Sequence, residues 1–110
     1  MYLNSGTYDS YVYGSTIPTN TWTFITWVLD TKSYTCKVYY NGILNANSSN
    51  YSGSDIPSGI NKNLTIGSGV LGYITDIHIY ATALTAEDIK ELYKSSKIIN
   101  GTNKIPRDLE

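Results

Sequence analysis

The eleven residues from Tyr34 to Leu44 leave this chain little choice of local fold. Cys36, Val38 and Tyr40 fall on one parity and Lys37 and Tyr39 on the other, the two-residue period of a strand. Asn41-Gly42 comes next, and these two residues tolerate the positive φ of a type I′ turn, after which Ile43-Leu44 begins a return strand. A hairpin is predicted. Its core face carries Cys36 as a buried, inert thiol, and its outward parity carries Tyr39.

The rest of the chain agrees with a mainly β domain. Its 110 residues are room for one domain. Charged residues make up 15% of it, against roughly 25% in an average soluble domain, which argues against a bundle of charged helices. The 41% of apolar residues argues equally against disorder. Eleven tyrosines suit pleated, half-buried surfaces. With a net charge of −1 and charges scattered singly before residue 84, nothing pulls on phosphates, so no nucleic-acid partner is expected. No apolar run approaches the roughly 20 residues of a membrane span, so no membrane insertion is expected either. A single cysteine excludes an intrachain disulfide and a cysteine-based zinc cluster.

Around the hairpin the pattern predicts a short first strand at Tyr11-Val12-Tyr13. A strand from Trp22 to Asp30 is apolar on both parities and therefore central, and Asp30 to Ser33 is a turn. Asn45 to Ser54 is polar and reads as a solvated loop. Leu64-Thr65-Ile66 reads as a short strand, and Tyr73 to Tyr80 as a last one with Ile77 and Ile79 inward and Asp76 and His78 outward. Thr85 is a natural N-cap with Asp88 completing an aspartate capping box, and Leu84 and Ile89 form a hydrophobic staple. Ile89, Leu92 and Tyr93 then place one apolar stripe on a helix of about residues 85–95. The domain is taken as 1–97, followed by a tail at 98–110.

These pieces, in this order, resemble the laminin-G-like jelly rolls of the concanavalin A-like lectin/glucanase superfamily. The resemblance rests on Trp22 to Asp30, Lys37-Val38-Tyr39-Tyr40-Asn41-Gly42, Leu64-Thr65-Ile66-Gly67, Gly72 to Tyr80, and Ala83 to Ile89. It implies an all-β, antiparallel β-sandwich of jelly-roll type with one short C-terminal helix, either a compact version or the C-terminal two thirds of the domain. It also implies a place in a larger surface, secreted or phage tail protein. The family's acidic pair is reduced to Asp76, because Thr75 stands at the other position. The closely spaced Glu and Asp that glucanases of this superfamily carry on one strand are absent.

No catalytic residues are assigned, since glycoside hydrolysis needs two convergent carboxylates and the acidic residues never fall two to a strand face. Tyrosine presents an apolar face and a hydroxyl, which suits stacking on a sugar. Tyr11, Tyr13 and Tyr39 are therefore expected to contact ligand, joined by Asp76 and His78 on one face of the last strand. No cofactor or metal is assigned. Calcium at a rim loop, on Asn45, Asn47, Asn50 and Asp55, is the weak alternative, because one carboxylate among amides is a poor calcium site. The expected function is non-catalytic recognition or adhesion with a glycan as ligand. The alternative is a structural or protein-interaction module without a sugar site, in a homo-oligomer or against the remainder of a larger chain.

Overall fold

The computed structural model describes residues 2–4, 9–48 and 65–96. Strands β1 (Tyr2–Asn4) and β2 (Asp9–Tyr11) pair antiparallel, with Tyr2 opposite Tyr11. Strands β3 (Ile25–Asp30), β4 (Thr35–Tyr40) and β5 (Ile43–Ser48) form an antiparallel sheet in that order, and α1 (Ala86–Ser95) follows. The all-β antiparallel class with one short C-terminal helix is thus the observed one. Among the described residues the strands form two sheets, one of two strands and one of three.

The predicted hairpin is present. Asn41 (φ 51°) and Gly42 (φ 77°) both take the left-handed conformation that the two-residue turn requires. Asn41 also closes the β3 side of the turn. Its N–H donates to the Phe24 carbonyl at 2.8 Å and its Oδ1 accepts the Phe24 N–H at 2.9 Å. Between β4 and β5 the register slips by one residue, Val38 lying opposite Ala46 and Tyr39 opposite Leu44, so Asn45 is left over as a bulge.

Both faces of β4 are buried. On one, Val12 packs against Cys36 and Val38, flanked by Leu29, Tyr40 and Ala46. The segment that carries Val12 is tied down by polar contacts. Ser15 N–H donates to Asn45 Oδ1 at 2.7 Å, Asn45 Nδ2 donates to Ser15 Oγ at 2.8 Å, and the Tyr40 hydroxyl donates to the Ser15 carbonyl at 3.1 Å. On the other face Val28, Tyr39 and Ile89 form a second cluster with Leu84 against it.

That second cluster is the helix docking on the sheet. The capping box is complete, the Thr85 hydroxyl accepting from Asp88 N–H at 3.1 Å and the Asp88 carboxylate accepting from Thr85 N–H at 3.0 Å. Ile89 is fully buried, while Leu92 and Tyr93 are half-buried on the same stripe. At the far end Tyr93 meets Phe24 with ring centroids 6.0 Å apart. The helix therefore runs along the strands, from the Asp30 end to the hairpin turn.

Several expectations need correction. The run from Trp22 is not a strand until Ile25, and β3 has a single neighbour among the described residues, so it is not central. Trp27 is 55% exposed, and the Val12 cluster reaches β3 at Leu29 rather than at Trp27. Residues 65–80 carry no strand: Gly67 and Gly69 turn the chain with positive φ, Asp76 does so again at φ 52°, and Ile77 and Ile79 are exposed. Asn45–Ser48 belongs to β5 rather than to a loop, since the Asn45 amide finds partners on Ser15. Finally, β2 ends at Tyr11, so the strand expected through Tyr13 lies further upstream. Residues 49–64 and the tail at 98–110 lie outside the described residues.

Candidate functional site

The five residues expected to contact ligand do not form one surface. Tyr39 is 4% exposed, because α1 lies on the parity that the sequence marks as outward. Its ring is core and cannot stack on a sugar. Tyr13 is 79% exposed, but it follows Val12 onto the opposite face of the sheet. Asp76 and His78 are exposed, and without a strand the argument that residues two apart share a face no longer holds. His78 instead stacks on Tyr80, with ring centroids 6.4 Å apart and planes 25° apart. The Tyr11 backbone is in β2, and its side chain lies outside the described part of the structure.

A different set of residues comes together where the helix begins. Val28 and Asp30 of β3 and Thr35, Lys37 and Tyr39 of β4 share one face of the sheet, as their register requires: Asp30 pairs with Thr35 and Val28 with Lys37. The loop entering α1, Ala83 to Ala86, passes over this end of the face. It leaves a cleft of about 300 Å³ lined by these residues. Val28, Leu84 and the two alanines supply apolar wall. Asp30, Lys37, Thr35 and Thr85 supply one carboxylate, one ammonium and two hydroxyls.

The Asp30 carboxylate is organised by its own turn. Oδ1 accepts the Lys32 N–H at 2.9 Å and the Ser33 N–H at 3.3 Å. The Lys32 backbone bond and then the Ser33 hydroxyl and N–H hold its pKa below the ordinary aspartate value of 3.8. Asp30 is therefore an acceptor throughout the neutral range. Lys37, diagonal to it on the next strand, presents a donor-only cation.

Two other candidates resolve differently. Cys36 is buried and its thiol pKa is pushed up by desolvation, which fits the inert thiol expected from the sequence. Of the rim calcium set, Asn45 Oδ1 accepts the Ser15 N–H, Asn47 is exposed on β5, and Asn50 and Asp55 lie outside the described residues. Among the described residues no three His, Cys, Asp or Glu side chains converge.

The cleft escaped sequence reasoning, although part of its signal was visible. Lys37 and Tyr39 stand on one parity, and Val28 and Asp30 share a parity on the neighbouring strand. Which element would cover that face is not encoded in the alternation.

Comparison with known proteins bears on the fold. The profile described as the concanavalin A-like lectin/glucanases superfamily matches residues 1–90. No curated protein matches the chain. Among solved structures, residues 221–444 of an S-layer domain-containing protein from Clostridium thermocellum are similar, with 23% identity and a TM-score of 0.50. That alignment covers 73% of this chain and 42% of the solved one, so this chain spans about two fifths of its solved neighbour.

Proposed function

This chain belongs to the concanavalin A-like lectin/glucanases superfamily, and from that premise we propose that it is a non-catalytic recognition module of a surface protein, with carbohydrate as its ligand. The observation that carries this reading is the cleft at the start of α1, where a small apolar wall stands beside hydrogen-bonding groups of both signs. Sugar rings have that character, with apolar C–H faces and hydroxyls that both donate and accept. The cleft has one carboxylate, Asp30, where glycoside hydrolysis uses two, which supports binding over turnover. The S-layer protein that shares the fold supports a setting at a cell surface.

The test is a glycan array probed with purified protein, first in calcium and then in chelator. Binding to a narrow set of glycans is expected in both conditions, because the cleft's one carboxylate, Asp30, is by itself a poor calcium site. Silence on the array would remove the carbohydrate reading.

A second reading, a protein-interaction module in an assembly, is favoured by a specific observation. Ile25, Trp27 and Ile43 are exposed on the sheet face that Val12 only partly covers. Exposed apolar clusters of this kind mark contact surfaces. Sedimentation velocity across a concentration series would show self-association if that surface joins copies of the chain.

A further inference from the structure

We infer that β3 pairs edge to edge, antiparallel, with β3 of a second copy of this chain, and that Trp27 stands on the two-fold axis. The inference rests on the protein-interaction reading above and names its partner and geometry. Three observations lead to it. Among the described residues β3 has β4 as its one strand neighbour, so its other edge is open. The phase of its hydrogen bonds is fixed at the hairpin turn. There the Phe24 carbonyl accepts the Asn41 N–H and the Phe24 N–H donates to the Asn41 side chain, so both backbone groups of Phe24 point toward β4. Strand residues alternate in this respect, and the β3–β4 register runs without a slip from Ile25 to Asp30. Thr26, Val28 and Asp30 therefore bond to β4, whereas Ile25, Trp27 and Leu29 turn their N–H and C=O to the open edge. Those same three residues carry their side chains on the face where Ile25 and Trp27 are exposed.

A second copy fits this edge because β3 is complementary to itself. With the two Trp27 residues opposite each other, Ile25 of each copy lies opposite Leu29 of the other, and each of these pairs exchanges two N–H···O bonds. The pairing keeps the apolar side chains on one face and sets the two indoles side by side. Asp30 falls opposite Phe24, so no carboxylate meets another. An axis at Thr26 or Val28 would instead push an outward residue onto Thr23 or Thr31, outside β3, and lose a bonded pair. The stretch from Ile25 to Leu29 also lacks a charge, a proline or a bulge, the features that keep an edge strand solitary. A six-residue edge about 20 Å long buries less than the roughly 800 Å² per partner of a standard interface. The dimer is therefore weak, with Kd of about 10–1,000 μM.

The experiment has two parts, both on the whole chain. Amide hydrogen exchange is compared by NMR between a dilute and a concentrated sample of wild type. Thr26, Val28 and Asp30 are expected to be protected in both, and Ile25, Trp27 and Leu29 to gain severalfold protection in the concentrated one. Sedimentation equilibrium then compares Trp27→Lys with Trp27→Glu. Each variant alone is expected to be monomeric, because like charges meet on the axis. An equal mixture of the two is expected to associate again, because an ammonium then faces a carboxylate. Trp27 is 55% exposed, so neither substitution empties a core site; if either variant fails to fold, the wild-type exchange pattern decides. Protection of Ile25, Trp27 and Leu29 already in the dilute sample would overturn the inference, since the edge is then filled within the chain. Association of wild type without added protection at these three amides, or without rescue in the mixture, would also overturn it, and would leave the protein-interaction reading standing with another contact. Wild type that stays monomeric at every concentration would remove the inference together with that reading as a contact between copies.

Discussion

Gly42 is held by two independent constraints. Its φ of 77° disfavours any residue with a Cβ, and a Cβ placed there would lie 3.2 Å from the Tyr93 side chain and 3.5 Å from Lys90 Cα. Gly42→Ala should therefore destabilise the fold by about 1–3 kcal/mol, with helix and hairpin signals lost together in a urea titration. At the helix start, Thr85→Ala should cost about 1 kcal/mol in the same measurement. The two carboxylates that brace turns act through pH. Asp88 accepts from the Thr85 N–H and then from its hydroxyl, and Asp30 accepts from Lys32 and Ser33, so both have folded pKa values below the ordinary 3.8. Their unfolded-state pKa is the higher one. Their stabilisation is thus complete above about pH 4 and is lost as pH falls from 3.8 through the folded values. Asp88→Asn should lower the thermal midpoint at pH 7, and the difference from wild type should shrink on titration to pH 2.

At the scale of elements, the helix is attached through few side chains. Ile89 is fully buried between Val28 and Tyr39, and Leu84 closes the same cluster. Ile89→Ala should cost about 2–5 kcal/mol. A urea midpoint close to wild type would show that the helix is not docked on this face. Trp27 supplies the contrast. It stands on β3, yet 55% of it is exposed, so Trp27→Ala should move the midpoint far less than Ile89→Ala. The capping box, the staple and the hairpin turn were all legible in the sequence. Each is decided by neighbours within four residues, where bond geometry and local hydrogen bonds leave one good solution. Strand pairing beyond the hairpin was not legible. Tyr73 to Tyr80 has strand composition, but composition does not supply a partner, and with Asp76 at φ 52° the segment does not continue as one extended run.

For the whole molecule, the face shared by Ile25, Trp27 and Ile43 is an exposed apolar surface. If it joins copies of the chain, Trp27→Ser should weaken self-association in sedimentation without changing sugar binding in the cleft, because the two sites lie on opposite faces of the sheet. The residues of the cleft show where sequence reasoning stops. The two-residue alternation correctly put Lys37 and Tyr39 on one side of the sheet, opposite Cys36 and Val38. It assigned that side to solvent, although α1 covers it. Tyr39 thereby becomes core, and Lys37 becomes the wall of a cleft with Asp30. The sequence alone determined the hairpin, its register at the turn, the helix and its cap, since these depend on contacts between residues close along the chain. Only the tertiary structure decided which faces are covered and which groups meet. Asp30 and Thr85 lie 55 positions apart in sequence, and only the packing of α1 on the sheet brings them to one cleft.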